Sequence, residues 1–150
     1  MERRFGISRK HFTDYLVFRK RRSWFLARNT RLLTSAAQLK VTQVGLKAFQ
    51  QVAGFIKPTT RFIQSFGRFA TRAKLQINND SLQALLRGEK IPVDMTLDNG
   101  YVILAMGEDS ILGLGLLIDG MVSSQLPKKE IRSAMLDMKL VEDPVFSGQT

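Results

Sequence analysis

The sequence predicts an α+β protein, with a small basic α/β module followed by a compact β-rich half. Three observations carry that prediction. Residues 73–124 break into short apolar strands separated by turn signals at intervals of roughly 8–12 residues, the spacing of a small barrel or sandwich. Phe62, Ile63, Phe66, Phe69 and Ala70 fall on a single helical stripe. Charge is divided between the halves. Residues 1–74 hold 17 Lys/Arg against only Glu2 and Asp14, a net of +15, while residues 75–150 hold 6 Lys/Arg against 11 acids, a net of −5.

At 150 residues the chain can bury a core as one domain or as two small packed ones. The expected division is 1–72 for the basic module, 73–141 for the β-rich unit, and a mobile tail over 142–150, which contains Pro144 and Gly148. There is no cysteine, so disulfides, thiol nucleophiles and cysteine-held metal clusters are excluded. An intracellular, cytoplasmic location is compatible with that. The longest apolar run, Ile111 to Met121, is far shorter than the roughly 20 residues of a membrane-spanning helix, and Asp119 interrupts it. Solubility alone does not require acids to be kept out of one half. A polyanion is therefore the expected partner, with nucleic acid ahead of an anionic membrane surface.

In chain order, the acid-poor start has the composition of a transit peptide, but Glu2, Asp14 and bulky residues such as Phe5, Ile7 and Phe12 argue for a packed segment. Ser8 is a candidate N-cap, and the spacing of Phe12 and Leu16 predicts a helix from about Arg9 to Leu16. Arg19, Lys20, Arg21 and Arg22 repel one another and belong at a solvated turn or edge; a phosphate patch and an ordinary loop fit equally well. Ser23 to Arg28 reads as a strand. Leu39, Val41 and Val44 alternate loosely, as a strand does. Leu46 to Val52 fits a helix or a strand. Lys57-Pro58-Thr59-Thr60 opens the striped helix, with Thr59 or Thr60 as its cap. Arg61, Arg68 and Arg72 share its other side, a ridge suited to a phosphate backbone or simply to water.

Ala73 to Ile77 alternates as a strand. Asn79 or Asp80 caps a helix with Leu82, Leu85 and Leu86 inward, and Gly88 closes it. Ile91 and Val93 mark an extended segment. Asp98-Asn99-Gly100, Gly107 to Ser110, and Asp119-Gly120 are turns around the strands at Tyr101–Leu104 and Ile111–Ile118. Gly113 and Gly115 permit bending or close packing. They do not form a dinucleotide loop, since no third glycine or helix follows, and Gly107 to Gly115 lacks the Lys-Ser/Thr of a phosphate loop. Pro127 starts a last helix over 128–138, with Ile131, Met135 and Met138 in register.

The layout from Asp80 to Lys129 is a helix closed by Arg87-Gly88-Glu89, a strand, a hairpin, a strand with Gly113 and Gly115, then Ser123 to Lys129. It resembles a PUA domain, the RNA-binding pseudobarrel named after pseudouridine synthases and archaeosine transglycosylases. It is most similar to the tail of Sun-type (Fmu-type) RNA cytosine-5 methyltransferases. Phe5-Gly6-Ile7, Phe12, Tyr15, the run Gln43 to Ala48, Lys57-Pro58-Thr59, Phe66-Gly67 and Ala70-Thr71 resemble the segment before the pseudobarrel in those tails, so the likeness covers most of 5–134. It implies a basic module joined to a PUA-like pseudobarrel. It also implies RNA contacts at the loop closing the first helix, at Arg87, Gly88 and Lys90, with Lys128, Lys129 and Arg132 as a second group. The family's cofactor domain and nucleophilic cysteine have no counterpart in this sequence.

His11 is the sole histidine; acid/base work would need an acid or nucleophile beside it, and its place in a basic stretch makes a surface or packing role the expectation. The carboxylates of the second half sit mostly in turns. No catalysis, cofactor or metal is expected. The expected function is binding of structured RNA (rRNA or tRNA) on the ribosome, in ribosome biogenesis or in RNA modification, through Arg19–Arg22, Lys57, Arg61, Arg68, Arg72 and the two groups implied by the resemblance. The alternative is an adaptor that brings RNA to a separate modifying enzyme.

Overall fold

The computed structural model describes residues 1–41 and 43–129, which form an α+β fold with two sheets. A short helix α1 (Glu2–Phe5) ends at Gly6, and a 3-10 turn (Arg9–Phe12) follows, with the Ser8 hydroxyl accepting from the Lys10 amide. Strands β1 (Tyr15–Lys20) and β2 (Ser23–Arg28) come next, then helix α2 (Leu32–Ala37), strands β3 (Leu46–Val52) and β4 (Phe55–Pro58), and helix α3 (Thr60–Phe66). The second half contains β5 (Lys74–Gln76), α4 (Asn79–Leu86), β6 (Ile91–Pro92), β7 (Gly100–Met106), β8 (Ser110–Ile118) and β9 (Met121–Ser124). The first sheet is antiparallel in the order β1-β2-β3-β4. The second has the order β5-β7-β8-β9-β6, with only β5 and β7 parallel, and curls into a half-barrel.

Several expected elements are realised differently. The helix foreseen over Arg9–Leu16 is a single 3-10 turn, and Leu16 lies on β1. The run Tyr15-Leu16-Val17-Phe18 is rich in aromatic and β-branched side chains, which fit a pleated surface, and it pairs in register with β2 across the cationic turn. Phe12 still delivers its ring to the core, 5.0 Å from that of Phe66. Among the described residues of 39–44 no strand forms; Leu39 and Val41 are exposed, and helix α2 precedes them. Leu46–Val52 is a strand paired with β2 and β4, and a bulge at Ala48 brings both Leu46 and Phe49 to the core face. Pro58 ends an edge strand instead of opening the helix. Thr59 is the cap, accepting from the Phe62 amide at 3.2 Å while its hydroxyl donates to the Lys47 carbonyl at 2.6 Å.

Helix α3 stops at Phe66 and continues as a 3-10 turn (Gly67–Phe69), so Arg72 lies off the helix and the three-arginine ridge does not form. The cap of α4 is Asn78, one residue earlier than expected; its side chain accepts from the Ser81 amide at 2.8 Å. Of its leucines only Leu85 is fully buried. Gly88 closes the helix in a left-handed conformation (φ 84°), with Glu89 N–H bonded to Ala84 O and Gly88 N–H to Leu85 O. The Asp98-Asn99-Gly100 turn joins no hairpin, since β6 pairs with β9. Asn99 instead exchanges hydrogen bonds with Asp119 in the β8–β9 turn. Ile131, Arg132, Met135, Met138 and the 142–150 tail lie outside the described residues.

One continuous buried cluster runs through both halves, from Phe5 and Phe62 to Leu114 and Val122. Helix α3 packs on β3 of one sheet and β8 of the other, which ties them together. Val102 to Ala105 on β7 are buried on both sides, hence four successive apolar residues there with no alternation. Close packing explains Gly113 (φ 154°), where an added Cβ would meet Leu126 at 2.5 Å and Thr60 at 3.1 Å.

Candidate nucleic-acid interface

Cross-strand partners share a sheet face, so the register of the first sheet sorts its side chains. Gln50 opposes Lys57, and Phe25 opposes Lys47 across a bulge after Trp24. One face therefore gathers Lys47, Gln50 and Lys57. Trp24, Leu26, Phe49 and Pro58 belong to the other face, on which Phe49 meets Phe62 of α3.

The lysine-bearing face opens into a cleft of about 540 Å³ lined by Gln43, Lys47, Gln50, Lys57, Arg61, Gln125 and Pro127. The Lys47 ammonium donates to Gln50 Oε1 at 3.0 Å, and that of Lys57 donates to Gln125 Oε1 at 3.2 Å. Lys57 also lies 5.4 Å from the Tyr101 ring centre. Among the described residues no carboxylate lines the cleft. Cations held by neutral amides keep their full charge for an incoming anion, and the amides add donors and acceptors. Pro127 on the rim is followed directly by Lys128 and Lys129, the last described residues, both exposed.

The predicted site residues divide accordingly. Lys57 and Arg61 converge on the cleft, with Lys128 and Lys129 beyond its rim. Arg19, Lys20, Arg21 and Arg22 form the solvent-exposed tip of the β1–β2 hairpin, as expected for a like-charged run. There the Arg19 guanidinium sits 5.5 Å from the Trp24 ring centre. Arg68 covers the Phe69 ring at 4.7 Å, and Arg72 lines a separate hollow with Arg3 and Met1. Neither joins Arg61. Lys47, Gln50 and Gln125 were not foreseen from the sequence.

Arg87, Gly88 and Lys90 are all exposed at the end of α4. Arg87 Nε donates to Glu89 Oε1 at 2.6 Å, which raises the guanidinium pKa and holds the Glu89 carboxyl below its ordinary range. A lowered carboxylate pKa favours the fold above the unfolded-state value, and that contribution is lost as pH falls through the lowered one. Because the pair is fully in water its effect on stability is small. It also masks Arg87. Arg87→Ala should weaken binding of an anionic RNA by less than about twofold, whereas Glu89→Gln, which unmasks the cation, should strengthen it; fluorescence anisotropy at low salt reads both.

His11 stacks on Phe69 with ring centres 4.0 Å apart. Among the described residues no group of three or more His, Cys, Asp or Glu is placed to hold a metal, and no helix is long and apolar enough to cross a membrane. No protein-family model and no curated protein sequence matches the chain.

Proposed function

We propose that the chain is a non-catalytic binder of structured RNA, rRNA or tRNA, acting in ribosome assembly, on the ribosome or in RNA modification. The observation that carries this reading is the cleft where Lys47, Lys57 and Arg61 converge without a carboxylate, on a half with net charge +15. Phosphates supply most of the affinity in such an interface, and amide side chains such as Gln50 and Gln125 add hydrogen bonds to sugars or base edges. The curled second sheet, with its helix closing on Gly88, is read as a PUA-like pseudobarrel that holds the far wall of the cleft through Gln125 and Pro127. Its own charge favours few, local RNA contacts.

Displaced counterions make the test direct. Affinity for a structured RNA should fall steeply and linearly in log–log form as salt rises, by about one decade per decade of salt for each phosphate engaged. A flat dependence would falsify the reading. The exposed apolar edge strand β1, with Leu16, Val17 and Phe18, favours a second reading as an adaptor that brings RNA to a separate modifying enzyme. A modifying enzyme that stays bound after nuclease treatment would select it.

A further inference from the structure

The two hairpin tips of the first sheet lie side by side. Ser23 opposes Gln50, and the Gln51 amide donates to the Arg22 carbonyl at 2.8 Å, so the Arg19–Arg22 tip and the β3–β4 tip sit at the same end. The second tip turns through Ala53 (φ 47°) and Gly54 (φ 85°), the paired positive angles of a tight hairpin. It presents Val52, Phe55 and Ile56 at 46%, 73% and 60% exposure. Phe55 is left in water and stabilises the fold little.

Register gives that ring a direction. Phe55 opposes Val52 and shares the face of Gln50 and Lys57, while Ile56 turns to the other face and lines a hollow with Trp24 and Phe49. Phe55 therefore stands one two-residue step, roughly 6.5 Å, from the cleft residue Lys57 along β4. We infer that Phe55 is a stacking platform for an unpaired base of RNA whose backbone runs from the cationic hairpin tip into the Lys47–Lys57–Arg61 cleft. The inference rests on the reading of that cleft as an RNA site. An aromatic beside a cationic track is the combination that holds single strands, since every base offers a π-face. Charge complementarity selects the occupant, with Glu2 and Asp14 the sole acids of residues 1–74. Insertion into a lipid surface fits less well, because Gln50 and Lys57 share the ring's face and would lose their water there.

The experiment compares a short single-stranded RNA with a blunt RNA duplex, each titrated against the full chain. Phe55→Ala should weaken single-strand binding by about tenfold and duplex binding by less than twofold. Phe55→Trp should restore it, and Phe55→Leu, apolar but without a π-face, should not. Unchanged single-strand affinity in Phe55→Ala, or rescue by leucine, overturns the inference. Wild-type binding to the duplex alone overturns it too and leaves the cleft reading standing; binding to neither RNA removes both. Loss of sedimentation with phosphatidylglycerol vesicles in Phe55→Ala, with RNA binding intact, would reassign the tip to a membrane.

Discussion

Phe62→Ala should lower the free energy of unfolding by about 3–5 kcal/mol. Phe62 is almost wholly buried, and its ring lies 4.7 Å from Phe49, 5.1 Å from Phe66 and 5.9 Å from Phe12. Those partners come from β3, from α3 itself and from the N-terminal turn, each fixed by backbone hydrogen bonds. They cannot collapse into the void, so the cavity cost adds to the lost transfer energy. Helix α3 also packs on β8, which places the void where the two sheets meet. Urea unfolding should therefore show one cooperative transition moved to lower denaturant, not two transitions of which one moves. Phe55→Ala is the internal comparison: the same atoms removed from an exposed ring should change stability by less than about 0.5 kcal/mol. A small effect at Phe62, or a second transition, would mean that the buried cluster is not the single core it looks to be.

What could be read from the chain in advance follows the range of the physics involved. The first turns of the α3 stripe, Phe62, Ile63 and Phe66, and the β7–β8–β9 turns are local signals that survive in the structure, while Phe69 falls in the 3-10 turn and Ala70 beyond it. The helix foreseen at Arg9–Leu16 failed because the Phe12–Leu16 spacing is also compatible with a turn followed by a strand. What decides is the pairing of Leu16 with Ala27, which no local window contains. Arg72 was placed on a ridge by extending a helix that ends at Phe66, where Gly67 fits against Ile111 with a hypothetical Cβ only 3.0 Å away. At the site, Lys57 and Arg61 stood out as cations, but Lys47 and Gln50 depend on whether 46–52 is a helix or a strand, and periodicity leaves that open. Gln125 reaches Lys57 from 68 positions along the chain, through the second sheet. Long-range register made this cleft.

The cleft can be separated from simple net charge by two triple variants of equal charge change. In Lys47→Ala/Lys57→Ala/Arg61→Ala the three cations that line the cleft are lost; in Arg28→Ala/Arg68→Ala/Arg72→Ala three exposed cations outside it are lost. Long-range attraction falls alike in both, and salt screens it beyond about 10 Å at moderate ionic strength. Direct phosphate contacts differ. Each one lost should lower the steepness of the log–log salt dependence by about one, so the cleft variant should lose about three and at least tenfold in affinity for structured RNA. The other variant should keep its slope nearly unchanged. Folding is not expected to confound the result, because the Lys47 and Lys57 ammonium groups hydrogen-bond to the Gln50 and Gln125 side chains, whose amides can turn to water, and Lys57 adds one contact with the partly exposed Tyr101 ring. Matching circular dichroism spectra would check that. If both variants lose slope equally, the RNA is held by diffuse charge and the cleft has no special claim. If only the first does, three cations brought together by sheet register define the binding site.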